Sequence, residues 1–216
     1  FILWEELKNA RIKKKILSGL ELYKIAVTLK STSKIKDYFS GKNTHEINKL
    51  CANITEFTDI TSDILNSIGK EGNIFDKASP VLAETRAEIR KLKNEIESTL
   101  SEFVRKKENQ HIIQEFLVTQ RENRYVIPIK KDHKGRVKGI VLDTSNSGET
   151  LFIEPQFVVN KNNELIEYIK KEKVEENKIL RRLSSYINKH WKQIKETLRA
   201  FGKVDLCVAK ARYAHD

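Results

Sequence analysis

Apolar residues recur along this chain in two long stripes of helical spacing, and between them the period drops to two. The first stripe is Leu82, Thr85, Ile89, Leu92, Ile96, Thr99 and Phe103. Its intervals of three and four predict a helix from Pro80 to about residue 110, with one sticky seam and a solvated opposite face. The second stripe is Val159, Asn162, Ile166, Ile169, Lys173, Glu176, Leu180, Leu183, Ile187, His190, Ile194 and Phe201. It predicts a rod over 156–201, roughly 65 Å long at 1.5 Å per residue. Its seam turns polar between Lys170 and Lys178, which weakens pairing there and suggests a flexible point. Gly202 is expected to end or bend the rod, ahead of a buried final helix carrying Val204, Leu206, Val208 and Ala209.

Between the stripes, Tyr125, Ile127 and Ile129 alternate with Val126, Pro128 and Lys130. That is a strand, and Pro128, which has no N–H to donate, predicts an edge position. Asp132 to Gly135 is turn chemistry. Val137 and Gly139–Leu142 predict a second strand, Asn146-Ser147-Gly148 a turn, and Thr150–Ile153 a third strand ending at Pro155. Three antiparallel strands need helical support to stand. Before the first stripe, Ile2, Leu3, Leu7, Ala10 and Arg11 suit a short helix, and Leu22, Ile25, Ala26, Leu29, Ile35 and Phe39 a longer one. Gly41 and Asn43 stop it. Thr44 is a candidate cap for a short helix through Cys51, and Thr58 or Asp59 for another carrying Ile60, Ile64, Leu65 and Ile68. Gly69 to Gly72 reads as a turn, and Ser79-Pro80 as a helix start.

The two heptad helices flank the β segment directly. The expected fold is therefore mainly α: a helical core, a long antiparallel coiled-coil lever and a small antiparallel β clamp at its tip. The expected division is 1–78 core, 79–115 ascending lever, 116–155 clamp, 156–201 descending lever and 202–216 return to the core.

Charge adds a partner to this picture. The formal net charge is +11, with charged residues at 33%, and such an excess favours a polyanion such as nucleic acid, a ribonucleoprotein or an anionic membrane surface. A Lys-rich composition bias is the plainer reading. Cys51 and Cys207 lie far apart without a CxxC or a neighbouring His at ligand spacing, so no zinc site is expected and both thiols are expected reduced, in the cytoplasm. No run of about 18 apolar residues offers a membrane span, and no signal peptide is visible. The chain begins at Phe1 and has no Met, and is expected to be a piece of a longer protein.

Asp76-Lys-Ala-Ser-Pro80-Val-Leu, Ile89-Arg90, Arg124-Tyr-Val-Ile-Pro-Ile-Lys130, Gly139-Ile-Val, Asp143, Ser145, Ser147-Gly148, Thr150-Leu-Phe-Ile-Glu-Pro155 and Asn162-Asn-Glu-Leu165 resemble the MutS-two proteins, bacterial MutS paralogues outside ordinary mismatch repair. The resemblance covers essentially the whole chain and corresponds to the core, lever and clamp regions that precede the ATPase. Leu142 departs from it, standing where a His is expected before the Asp, which puts any clamp contact of that His in doubt. The resemblance implies that the parent is a homodimeric ATPase using ATP and Mg, with a C-terminal nuclease. It further implies that the parent binds branched DNA, restrains recombination, and in some members acts on stalled or collided ribosomes. The 216 residues contain no Gly-x-x-x-x-Gly-Lys-Ser/Thr, so no phosphate-cradling loop, cofactor or catalytic residue is expected in this piece.

Arg121, Arg124, Lys130, Lys131, Lys134, Arg136 and Lys138 stand against Glu122 and Asp132. On a hairpin these cations would meet phosphates without reading bases, although Lys also guards strand edges against aggregation. Asp143, Ser145, Ser147, Thr150 and Glu154, with Gly148, read as turn-forming groups bonding backbone, in preference to an Asp143/Glu154 acid–base pair. Pro128 and Pro155 complete this structural motif. Phe152-Ile153-Glu154 is similar to the Phe-x-Glu wedge of mismatch sensors, yet core packing is the expectation. Arg11 with Lys13–Lys15 reads as a solvated face. The five histidines (45, 111, 133, 190 and 215) are scattered and support no metal site, with His133 a minor candidate for phosphate. The expected function is a non-catalytic grip on branched DNA or ribosomes, and the competing expectation is a structural coiled-coil dimerisation module. An independent enzyme finds no nucleophile–base pair to support it.

Overall fold

The computed structural model describes residues 15–214. The expected first helix from Ile2 to Arg11, the Arg11/Lys13/Lys14 run and His215 lie outside the described residues. The chain divides into two compact units, one of Phe1–Pro80 with Glu175–Asp216, the other of Val81–Val174. Its order is α1 (Gly19–Phe39), α2 (His45–Cys51), α3 (Thr58–Ser67), α4 (Pro80–Arg105), β1 (Thr119–Arg121), β2 (Arg124–Lys130), β3 (Gly139–Thr144), β4 (Thr150–Pro155) and α5 (Val159–Tyr213), with short 3-10 turns at Asp76–Ala78, Lys107–Asn109 and Lys131–Arg136. The protein is mainly helical, with one four-stranded antiparallel sheet.

In the first unit, α1 opens on a capping box. Ser18 Oγ accepts from Glu21 N–H at 3.3 Å, and Glu21 Oε2 accepts from Ser18 N–H at 2.8 Å, so two otherwise orphaned donors are satisfied. Gly19 is required by close approach, since a Cβ there would lie 2.0 Å from the Gly72 carbonyl oxygen. Cys51, Ile54, Ala200 and Val204 form a core cluster flanked by Ile35, Phe39, Ile47, Leu50 and Val208. Side chains of α5 bond this unit's main chain: Leu17 N–H donates to Ser184 Oγ at 2.9 Å and Thr55 N–H to Thr197 Oγ1 at 3.0 Å. Arg182 grips Asp63 bidentately at 2.6 and 3.3 Å.

The caps expected here differ. Thr44 occupies the position before α2 without a side-chain cap bond, and its hydroxyl is buried without a partner. Phe57, not Thr58 or Asp59, precedes α3, without a side-chain cap bond, and its side chain is buried. Gly202 neither ends α5 nor separates a final helix, since a lone helical glycine costs only about 1 kcal/mol and neighbouring turns carry it. Of the expected buried residues beyond it, Val204 is buried while Leu206 and Ala209 are exposed.

In the second unit, Ile89, Leu92, Ile96, Leu100 and Val104 of α4 share one core with Tyr125, Ile127, Ile129, Leu151, Ile153, Val158 and Leu165. The buried α4 positions are Leu100 and Val104, where Thr99 and Phe103 were expected. In this last stretch burial recurs at intervals of four, at Ile96, Leu100 and Val104. The stripe of α5 is offset likewise, with Leu165 and Ile179 buried in place of Ile166 and Leu180. From Ile166 to Lys178 no residue of α5 is buried, and the boundary between the units, Val174/Glu175, falls inside this polar stretch.

The sheet order is β1-β2-β4-β3. Two expectations are corrected by it. Four strands form, because Thr119–Arg121 adds β1, turning into β2 at Glu122 (φ 51°) and Asn123 (φ 62°). Positive φ at both central residues matches a two-residue hairpin turn. Pro128 is not on an edge strand, since β2 lies between β1 and β4, and Tyr125–Ile129 are all buried. Its carbonyl accepts from Gln114 N–H at 3.0 Å. The missing N–H would point the same way, off the β2/β4 ladder, so that ladder loses nothing.

Candidate nucleic-acid interface

The register also explains how the second unit holds its polar groups. Ile127 pairs with Ile153, so Tyr125 falls opposite Pro155, which cannot donate. The Asn162 side chain stands in: Oδ1 accepts from Tyr125 N–H at 3.1 Å and Nδ2 donates to Tyr125 C=O at 3.0 Å. The same Nδ2 donates to Glu154 Oε1 at 2.9 Å. Glu154 is 1% exposed and also receives Arg124 Nη1 at 2.6 Å, while Arg124 Nη2 reaches Asn163 Oδ1 at 2.6 Å. Arg124, Glu154, Asn162 and Asn163 thus form a structural lock, built because a buried carboxylate must be paired. Burial, with Glu97 beside its hydroxyl, pushes the Tyr125 phenol up to about 12.

The seven cations therefore split. Arg121 donates through Nε to Asp143 Oδ2 at 2.8 Å, with its guanidinium 3.8 Å over the Phe152 ring centroid. Arg124 serves Glu154. Lys130 Nζ donates to the His111 carbonyl at 3.2 Å. Lys131, Lys134, Arg136 and Lys138 are exposed, and among the described residues none of them enters a salt bridge. They do not sit on a hairpin. Because β4 lies between β2 and β3, residues 131–138 form a connection that crosses to the far side of β4. Its 3-10 turn presents three cations against one acid, Asp132, with Lys138 just beyond. Cations held apart from carboxylates keep their charge available to phosphates.

The serine turn is occupied with its own closure. Ser145 Oγ accepts from Thr150 N–H at 3.1 Å and contacts Ser147 Oγ at 3.2 Å, Gly148 takes φ 74°, and its N–H bonds Ser145 C=O at 2.8 Å. With those hydroxyls engaged and no lysine present, this turn does not fit a nucleotide phosphate. Asp143 and Glu154 belong to separate networks, Asp143 also accepting Thr144 N–H at 2.8 Å, so they form no acid–base pair. Phe152 is half-buried beneath Arg121. Leu142 is the extra residue at the β3 register shift between Val141 and Asp143, a bulge that interrupts the exposed edge. Among the described residues no three His, Cys, Asp or Glu side chains gather as a metal site, and no helix is long and apolar enough to cross a membrane.

Sequence reasoning missed three participants. Asn162 pairs with Tyr125 across 37 residues, which spacing alone does not reveal. Glu122 occupies a left-handed position that Gly or Asn would have signalled. His111 meets His133 edge to face at 5.5 Å between ring centroids, brought there by the Ile113–Ile129 bridge.

The fold and this turn define a mainly helical protein carrying a helix-backed antiparallel sheet with an unpaired cationic connection. No family model matches the chain. Curated relatives do. A protein of Pelotomaculum thermopropionicum named Endonuclease MutS2 is 35% identical over 217 residues, covering 98% of this chain and 28% of its own length. Endonuclease MutS2 of Levilactobacillus brevis is 36% identical over 204 residues, 92% of this chain and 26% of its own. That of Aquifex aeolicus is 32% identical over 212 residues, 97% and 28%. The chain belongs to the MutS2 family, and it spans about a quarter of the length of these relatives.

Proposed function

We propose that this chain is the core, lever and clamp part of a MutS2-like ATPase and that it grips branched DNA through the phosphate backbone. The observation that carries this reading is the exposed, unpaired set Lys131, Lys134, Arg136 and Lys138 on the β2–β3 connection. The relatives' name, Endonuclease MutS2, supports a nucleic-acid target. In this reading α4 and the first part of α5 are the lever, the sheet is the clamp, and the polar stretch Lys170–Lys178 is where the lever yields to ATP state. ATP and Mg are expected to be held elsewhere in the parent homodimer, so the chain contributes grip and relay without chemistry of its own. Contact with phosphates and not bases makes shape and charge decide affinity, and sequence matters little.

The test is charge reversal of Lys131, Lys134, Arg136 and Lys138 to Glu, with binding to a four-way DNA junction measured across salt concentrations. Each lost phosphate contact removes ~0.9 from the slope of log affinity against log salt, so loss of all four lowers the slope by about 3.6. An unchanged slope refutes the reading. Salt-sensitive binding to ribosomes with none to the junction would move the target to ribosomal RNA.

A further inference from the structure

Resting on that reading, we infer that His111 and His133 make the basic turn a proton-linked phosphate site, one that takes up protons as it takes up the backbone. The two imidazoles meet edge to face at 5.5 Å, ring planes 86° apart. They come from different segments. His133 interrupts the 3-10 turn at φ −108°, ψ 16°, and His111 follows the turn Lys107–Asn109 and is fixed by the Lys130 Nζ bond to its carbonyl.

The charged groups on the segments that carry the pair are mostly cations. The 3-10 turn contributes Lys131, Lys134 and Arg136 with Asp132, the end of β2 contributes Lys130, and the 107–109 turn contributes Lys107 with Glu108. Glu149, before β4, meets the turn through its carbonyl, which accepts from Lys131 N–H at 2.9 Å. Among the described residues no carboxylate pairs with either ring.

The consequence is electrostatic. An imidazole ordinarily gains its proton near pH 6.5. A phosphodiester laid against the turn reverses the local field, and each imidazolium adds a charge-assisted N–H donor to a phosphate oxygen. Protonation and binding then favour one another, as linkage requires. The lysines alone would give affinity with little pH dependence between 6 and 8.

The experiment measures affinity of the chain for a 40-base-pair duplex at fixed ionic strength from pH 8 to pH 6, for wild type and for His111→Gln/His133→Gln. Wild type is expected to bind about tenfold tighter at pH 6, as uptake of one proton over part of that range requires, and the double variant to lose that slope. On wild-type protein at pH 7, adding duplex is expected to move the NMR resonances of both imidazoles toward their acid limits. Binding without pH dependence, a slope the variant retains, or imidazole resonances that ignore the duplex would overturn this inference while leaving the phosphate reading in place. Absence of salt-sensitive binding at every pH would overturn the phosphate reading itself.

Discussion

Replacing Asn162 with alanine removes three hydrogen bonds from a site that water reaches poorly. Tyr125 loses the partner of its N–H and of its C=O, and Glu154 loses one of its two donors. A buried polar group left unmade costs about 1–3 kcal/mol. Two orphaned main-chain groups, partly rescued by water entering the vacated space, should together cost about 3 kcal/mol. Glu154 keeps Arg124 at 2.6 Å, which limits the electrostatic loss. With m near ~1.5 kcal/mol/M, the urea midpoint of the second unit should fall by about 2 M with m unchanged. The Tyr125 amide, whose N–H is engaged by Asn162 Oδ1 in wild type, should exchange markedly faster in the variant than in wild type. Asn163→Ala is the companion: its contact is with Arg124 at the exposed side, and it should cost ~1 kcal/mol or less. A midpoint drop below about 0.5 M for Asn162→Ala, or an unaltered Tyr125 amide, would refute the claim that this side chain replaces the strand partner that Pro155 cannot be.

Two further outcomes follow from the same sheet. The Tyr125 phenol titrates near 10 when unfolded and at about 12 when folded. Its contribution is therefore complete below pH 10 and lost as pH rises to about 12; stability should fall across that window by about 1–3 kcal/mol. Tyr125→Phe should remove that part of the slope in urea titrations, and an identical slope would exclude Tyr125 as its source. Glu122→Asn keeps a residue that tolerates φ 51° while relieving the penalty a glutamate incurs there, and should stabilise the chain by ~0.5–1 kcal/mol in thermal melts; destabilisation would contradict the turn assignment.

What the sequence disclosed and what it withheld follow from the range of the interactions. The α4 stripe from Leu82 to Ile96 was legible because helix burial repeats locally, every three to four residues. It drifted at Leu100 and Val104, where burial recurs every four residues instead of alternating three and four. The strand Arg124–Lys130 was legible from its alternation, and its central place was not, because Pro128's neighbour on the missing-donor side is the distant segment around Gln114. The cluster of cations was visible as composition. Which of them are free was not, since Arg121 and Arg124 are claimed by Asp143 and Glu154 on strands 22 and 30 residues away. The hairpin expectation failed for a related reason: nothing local says that β4 inserts between β2 and β3.

In the proposed complex the β2–β3 connection faces the nucleic-acid backbone. A photo-crosslinking amino acid placed at Lys134, compared with one at Lys91 on the exposed face of α4, tests this most directly with a radiolabelled four-way junction. Crosslinks should form from position 134, weaken as salt rises, and be sparse from position 91. Crosslinking that is equal at both positions, or confined to position 91, would contradict the account.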